Sequence, residues 1–481
     1  PPMSKQLTPH YTQTTVALLI IITILSTSIR SAQSFRSAAF ATRNFNKTFA
    51  HSSPTRRMSA SSIAISDAFD GGNIEHVSTD DSNSNSKVLL RVKPDPFTEL
   101  EKINHLQYFS FRARVPVTSS VEYVIENAGK CSYPSAWPGS TVFYSTDRKQ
   151  WRRIVDTEYD KEEGHLKWSF EHEGSGSVHF CYFPPFSYER HLDLIAKCEA
   201  SLVPNCSVRS LGQTLDGREM ECVTVGSGPR IAWVIHRQHP GENMAEFFAE
   251  GLLTRLLGLD SDGSVDGLVK KALELYTFHI VPNMNPDGAF RGHLRTNACG
   301  ANLNREWCTT DDYEAPTLER SPEVYHVLKA MDETGVDAFA DIHGDEELPF
   351  NFIAGAEGCP NWSERLKGLQ GAFLGAYCRA NSDMQKPIGY EPEPPGQGRM
   401  AVCSNQIAVR FDCLAVTLEM PFKDCMSNPD PERGWNGSRA GQLGASLLDA
   451  LVYVQPFLRS DEEFWGTLPN DDDYVCPTSK Y

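Results

Sequence analysis

Two hydrophobic periods divide the chain. Between about residues 69 and 188, short β-rich runs alternate with clusters of Gly, Pro, Asp and Ser. His105 to Val115 reads HLQYFSFRARV, and Val121 to Ile125, Thr141 to Ser145, Leu166 to Phe170 and Val178 to Phe183 are further runs of this kind. Short strands at this spacing predict a small antiparallel β-sandwich. Val77 to Ser86, VSTDDSNSNS, has nothing to bury and is expected to be a polar loop. After Glu189 the period changes. Arg190 to Ala200 suits a connecting helix. Arg230 to Ile235 is a short continuous apolar run, as a buried strand requires, and Tyr276 to Val281, Ala338 to Ile342 and Leu414 to Leu418 are expected to be three further buried strands. Met244, Phe247, Phe248, Gly251, Leu252 and Leu256 recur at helical spacing, which predicts an amphipathic helix over Asn243 to Leu257. Strands alternating with helices imply an α/β domain with a largely parallel or mixed sheet, and the fold class expected is a mixed sheet with helices on both faces. Ligands of such sheets bind beyond strand ends.

Composition sets outer bounds. Over 481 residues, 40% are hydrophobic and 22% charged, a balance that excludes a largely disordered chain. The net charge is −17, yet no acidic residue precedes Asp67, so the remainder is more acidic still. A body of that charge is no nucleic-acid binder, because phosphate contacts need a basic surface. The 13 cysteines form no CxxC pair, which points to reduced thiols and away from a cysteine zinc site.

The organisation expected from these patterns is a targeting presequence over 1–66, a β-sandwich over 67–190, an α/β domain over 191–460 and an acidic, solvated tail over 461–481. In the presequence, Val16 to Leu25 is an apolar run too short for a membrane span of about 20 residues, so no stable span is expected in the mature form. It fits the apolar region of a signal peptide. Ser37-Ala38-Ala39-Phe40-Ala41 and the acid-free stretch after it resemble the junction of plastid-targeted proteins in algae with secondary plastids. A start at Met58 would instead give a cytoplasmic protein. Sequons at Asn46, Asn205, Asn361 and Asn436 permit glycosylation of a secreted chain.

The candidate chemistry lies at strand ends. His239-Pro240-Gly241-Glu242 follows the RIAWVI run, and the Pro-Gly turn can aim imidazole and carboxylate at one cation. The pattern recurs at His343 to Glu346, so an HxxE alone says little. Context sharpens it. His343 follows the run Ala338 to Ile342, and Glu419 follows Leu414 to Leu418, where burying a carboxylate is costly unless it has a task. Between Glu242 and His343 lie PNMNPDG (282–288), Arg291 and Arg295 in RGHLRTN, and Asn302, Asn304 and Arg305 in NLNREW. A guanidinium fork in a Gly- and Asn-rich loop matches a carboxylate or an oxyanion.

The order HPGE, NPDG, RTN, NLNREW, DIHG and TLEM resembles the zinc metallocarboxypeptidases related to carboxypeptidase A, and within them the cytosolic carboxypeptidase subgroup. Phe69 to Ile74, Ile125 to Asn127 and Tyr182 to Tyr188 fit that subgroup's front domain. The resemblance implies a β-sandwich ahead of a mixed-sheet catalytic domain, and one zinc ion held by His239, Glu242 and His343. It makes Glu419 the general base and acid, Arg295 the oxyanion stabiliser, and Asn304 with Arg305 the clamp on the terminal carboxylate of a peptide or protein tail, with tails ending in glutamate among the candidates. Two departures stand out. Asn302 occupies the place where an Asp usually supports the first histidine. No tyrosine lies between Glu391 and Glu419, where many members carry a mobile one, so Tyr390 is the nearest substrate-binding candidate; otherwise it is a loop tyrosine at a core edge. Arg399 and Arg410 are candidate pocket cations or surface ion pairs. Alternatives to a carboxypeptidase are a zinc deacylase or amidase acting on small N-acyl amino acids, and a non-catalytic binding module. The oligomeric state is not legible in these patterns.

Overall fold

A computed structural model describes residues 63–81, 86–174, 176–261 and 263–460. The apolar run at 16–25, the rest of residues 1–62 with Asn46, and the acidic tail from 461 lie outside the described residues.

The front part consists of two five-stranded sheets. One runs in the order Ala64–Ser66, Ser110–Arg114, Ser177–Cys181, Val142–Ser145, Arg152–Ile154, with every pair antiparallel. The other runs Glu75–Asp80, Ser86–Arg91, Thr118–Ile125, His165–Glu173, Glu158–Asp160. Here Ser86–Arg91 and Thr118–Ile125 are parallel, a departure from the expected all-antiparallel pairing. Buried aromatic side chains fill the space between the sheets. Tyr123 lies 4.9 Å from Phe180 and 5.5 Å from Trp168 by ring centroid, and Phe111 lies 6.3 Å from Trp168.

Two expectations change here. Glu75–Asp80 is a strand although its residues are nearly all exposed. It forms the sheet edge, where one ladder partner suffices and neither face must be buried. The polar composition of 77–86 therefore did not mark a loop throughout. Ala64–Ser66, placed within the presequence by composition, pairs with Ser110–Arg114, and Ile63 is buried. The fold thus begins before residue 67.

The second part is built on a seven-stranded sheet ordered Ser207–Gln213, Glu219–Gly226, Tyr276–Val281, Arg230–His236, Ala338–Asp345, Leu414–Pro421, Phe352–Ala354. The central four strands are parallel and the outer pairings antiparallel. Helices cover both faces, which is why the central strands are largely apolar. Ala232, Val234 and Val416 pack on the side of helices Met244–Leu257, Glu364–Ala380 and Gly437–Val454. Trp233, Phe339 and Ala415 pack on the side of Pro322–Thr334 and Cys403–Phe411. Gly251 brings two helices into backbone contact, since a Cβ there would lie 2.0 Å from the Gly441 carbonyl oxygen.

Two central strands outrun their apolar segments. Ala338–Asp345 and Leu414–Pro421 stay paired through His343 opposite Glu419 and Asp345 opposite Pro421. The ladder satisfies the backbone there, so polar side chains are carried into the sheet's carboxyl edge on rigid strand. Among the described residues no helix is long and apolar enough to cross a membrane.

Candidate active site

The strand Arg230–His236 hands over to the His239–Glu242 turn through Arg237, whose φ is +58°. Gly241 allows the close approach of the next loop: its N–H donates to the Leu294 carbonyl at 2.9 Å, and a Cβ at Gly241 would stand 2.9 Å from the same oxygen. The turn brings His239 Nδ1 to 2.7 Å from Glu242 Oε1. His343 Nδ1 lies 2.9 Å from Glu242 Oε2 and 3.1 Å from His239 Nδ1. One ligand atom from each of the three residues lies within 4.8 Å of the others.

The outer nitrogens fix both rings. His239 Nε2 donates to Asn302 Oδ1 at 3.1 Å, and His343 Nε2 faces Asp341 Oδ2 at 3.0 Å. Gln238 Nε2 also donates to Asp341 Oδ2, at 2.6 Å, and Trp307 Nε1 holds Gln238 in turn. With their outer nitrogens engaged, both histidines turn Nδ1 inward. Burial, with the Arg295 charge next, pushes the His239 imidazole down to about 3, so it stays a neutral ligand. At His343 burial is outweighed by the charges and hydrogen bonds of Asp341 and Glu242, which hold its imidazole well above the usual range, so a bound cation would take the place of a proton there. Two imidazole nitrogens and a carboxylate are a donor set that suits zinc and leave a coordination position open. The HxxE copy at His343 is not a two-ligand unit: His343 faces Glu242, while Glu346 only lines the cleft.

Glu419 sits opposite His343 in the neighbouring strand. It is buried, and its Oε2 has no hydrogen-bond partner. Burial, against the pull of His343, together with Glu242, Asp345 and Glu346 holds its carboxyl well above the usual range. Such a carboxylate binds a proton avidly, as a base near neutral pH must.

Three guanidinium groups face the same cleft of about 440 Å3, those of Arg295, Arg305 and Arg399. The Arg295 loop is pinned from the front part: the N–H groups of Leu294, Arg295 and Thr296 donate to the Asp95 carboxylate at 2.7, 2.8 and 2.9 Å. Arg295 Nη1 donates to the Tyr133 hydroxyl at 3.2 Å. Arg305 donates to the Asn304 carbonyl at 2.7 Å, and among the described residues it pairs with no carboxylate. Burial and the charges of Arg295 and Arg399 push it down to about 10, so it is a cation short of an anion. The Asn304 side chain accepts from the Cys403 N–H at 2.8 Å. Tyr390 lines the cleft, and its hydroxyl donates to Asp345. Arg399 pairs with Glu393, whereas Arg410 pairs with Asp332 away from the cleft.

Comparison with known proteins agrees with this geometry. Residues 65–183 match the family described as cytosolic carboxypeptidase N-terminal domain, and residues 191–392 match zinc carboxypeptidase. A putative carboxypeptidase A from Shewanella denitrificans is 45% identical in its crystal structure, with a TM-score of 0.74 over 82% of this chain and 99% of that one. The chain belongs to the zinc carboxypeptidase family. A metallo-carboxypeptidase from Pseudomonas aeruginosa, in complex with (2-guanidinoethylmercapto)succinic acid, is 38% identical, with a TM-score of 0.73 over 82% of this chain and all of that one. An uncharacterised Zymomonas mobilis protein is 42% identical over 81% of this chain and 96% of its own length. Cytosolic carboxypeptidase 6 of Caenorhabditis elegans is 22% identical over 74% of this chain and 78% of its own. The protein is accordingly a peptide-bond hydrolase of the metallocarboxypeptidase kind.

In this carboxypeptidase the structure brings His239, Glu242, His343, Arg295, Asn304, Arg305, Tyr390 and Glu419 together. Sequence reasoning missed Asp341, Gln238, Asp95 and Tyr133. Asp341 left a signal: a carboxylate inside an apolar strand, fully buried, demands a partner. It also relocates an expected support. The carboxylate–histidine pair falls on His343, and the amide falls on His239. Asp95 and Tyr133 left none, since no spacing links them to Arg295.

Proposed function

We propose that the chain is a zinc-dependent exopeptidase that removes residues singly from the carboxyl ends of peptides and protein tails. The observation that carries this reading is Arg305, a half-buried guanidinium that pairs with no carboxylate among the described residues, in one cleft with the His239–Glu242–His343 cluster and Glu419. Asn304 and Arg305 would bind the free terminal carboxylate, which confines cleavage to chain ends. Zinc held by His239, Glu242 and His343 would supply a water of lowered pKa and polarise the last peptide carbonyl. Glu419 would take the proton from that water and return it to the leaving amine. Arg295 would hold the oxyanion, a contribution of about 3–4 kcal/mol per donor in other hydrolases.

Glutamate removal is the narrower form of the proposal. A terminal glutamate side chain needs a cation, and Arg399 is the one in the cleft not assigned another task. Substrate carboxylate would displace Glu393 from it. Mass spectrometry of peptides ending in Glu, Asp, Lys or Leu tests both forms. Release of single terminal residues, fastest for Glu, is expected. Hydrolysis confined to small N-acyl amino acids would replace the exopeptidase with a deacylase. Equal rates for Glu and Leu would remove the glutamate preference.

A further inference from the structure

The Arg295 loop takes support from the front part as well as from its own domain. Its loop hangs on Asp95 through three backbone N–H groups and the Thr296 hydroxyl, the last at 3.0 Å. The next loop is held likewise: the Asn302 N–H donates to Glu101 at 3.1 Å. Asp95 and Glu101 belong to the segment that leaves the strand Ser86–Arg91 of the front sandwich. The side chain of Arg295 has one hydrogen-bond acceptor among the described residues, the Tyr133 hydroxyl.

Tyr133 is itself firmly held. Its backbone N–H donates to Gln107 Oε1, and its carbonyl accepts from Gln107 Nε2, both at 3.2 Å. Gln107 is fully buried. The neighbouring Ser132 exchanges hydrogen bonds with Leu106 at 2.7 and 2.9 Å. Pro134 opens a short 3-10 turn directly after it. On the far side Ser135 donates to Glu347, and the Pro138 carbonyl accepts from Lys423, so this loop also touches the catalytic part. Tyr133, Arg295 and Arg305 line the main cleft and also a second recess of about 470 Å3 toward Leu100 and Ile103. The phenol therefore stands as the wall against which the guanidinium rests.

From this geometry we infer that Tyr133, supplied by the front sandwich, is a positioning residue for Arg295. The inference rests on the exopeptidase reading for its effect on rate, and on the structure alone for its effect on Arg295. Each Nη carries two N–H bonds. Engaging one of them at Tyr133 stops rotation of the guanidinium and leaves the others to face the cleft. An oxyanion donor contributes most when its orientation is set before the charge develops. Burial pushes the Tyr133 phenol up to about 12, so it stays protonated at neutral pH; its lone pair accepts from Arg295 and its own O–H remains available on the cleft side.

The test is Tyr133→Phe, which keeps the ring and removes the acceptor. With a peptide substrate, kcat is expected to fall about tenfold, the scale of one hydrogen bond to a charged group. KM, zinc content and melting temperature should stay unchanged. In an Arg295→Lys background the same substitution should change kcat less than about twofold, because coupled residues are not additive. Equal losses in both backgrounds, or an unchanged kcat in the single variant, would overturn the inference. A crystal structure of Tyr133→Phe supplies a readout independent of activity. Arg295 is expected to lose its single side-chain position while residues 294–296 stay bound to Asp95, and an unmoved guanidinium would overturn the inference even if no peptide were cleaved. A wild-type enzyme inert toward every peptide would count against the exopeptidase reading instead.

Discussion

Behind the His239–Glu242 turn lies a buried charge network whose pH response can be worked out. His191 Nδ1 meets Glu246 Oε1 at 2.7 Å and its Nε2 meets Glu221 Oε2 at 3.2 Å. Glu246 is shared with Arg237 at 2.6 Å and with Asn283 at 3.0 Å. Arg237 also donates to the carbonyls of Phe186 and Pro240, both at 2.9 Å, so the network braces the His239–Glu242 turn. The Tyr188 ring stacks on His191 at 5.7 Å. Burial disfavours the imidazolium, but the hydrogen bonds and charges of Glu221 and Glu246 outweigh it and raise His191 from 6.5 to about 9. At about 1.4 kcal/mol per pKa unit, that difference amounts to roughly 3 kcal/mol. The folded chain binds this proton more tightly than the unfolded one. Its stabilisation is thus complete below pH 6.5, declines as pH rises and is mostly gone by pH 9. His191→Gln removes the titration. In urea unfolding, wild type should exceed the variant by roughly 3 kcal/mol at pH 6, and the gap should close steadily toward pH 9. A gap that stays constant across that range would refute the reasoning.

Two further outcomes follow from the packing and the ligand supports. Asp341→Asn weakens the carboxylate that faces His343 Nε2, so zinc affinity should fall by about 10–100-fold in chelator competition. Unchanged affinity would mean Gln238 alone orients the ring. Gly251→Ala places a methyl 2.0 Å from the Gly441 carbonyl and must push two helices apart, whereas Gly441→Ala meets its nearest atom, the Phe247 carbonyl oxygen, only at 3.4 Å. Thermal denaturation should show a loss of about 1–3 kcal/mol for the first and a much smaller change for the second.

The parts of the fold legible in the sequence were those with a one-dimensional signature. RIAWVI and the three other expected buried strands became the four central parallel strands, because strands covered on both faces must be largely apolar. The helix predicted over 243–257 runs Met244–Leu257. Elements without such a signature escaped. Glu75–Asp80 buries nothing, and Ser207–Gln213 is likewise a mostly exposed edge strand. At the site, the residues that the structure brings together and that carried an unusual local context were legible as candidates: a histidine after a strand, a carboxylate in TLEM, arginines among asparagines. The supports were not, because their meaning lies in partners far along the chain. Asp95 and Arg295 are 200 residues apart, and Tyr133 and Arg295 are 162 apart. Nothing local to either member announces the pair.

The central claim is that His239, Glu242 and His343 hold one zinc ion within reach of Glu419. Zinc content of purified Glu419→Gln, measured together with its peptide hydrolysis, tests it most directly. The account predicts one zinc per chain and hydrolysis at least about 100-fold below wild type, the scale of a lost general base. Wild-type hydrolysis with Gln at 419, or a chain that binds no zinc at all, would contradict it.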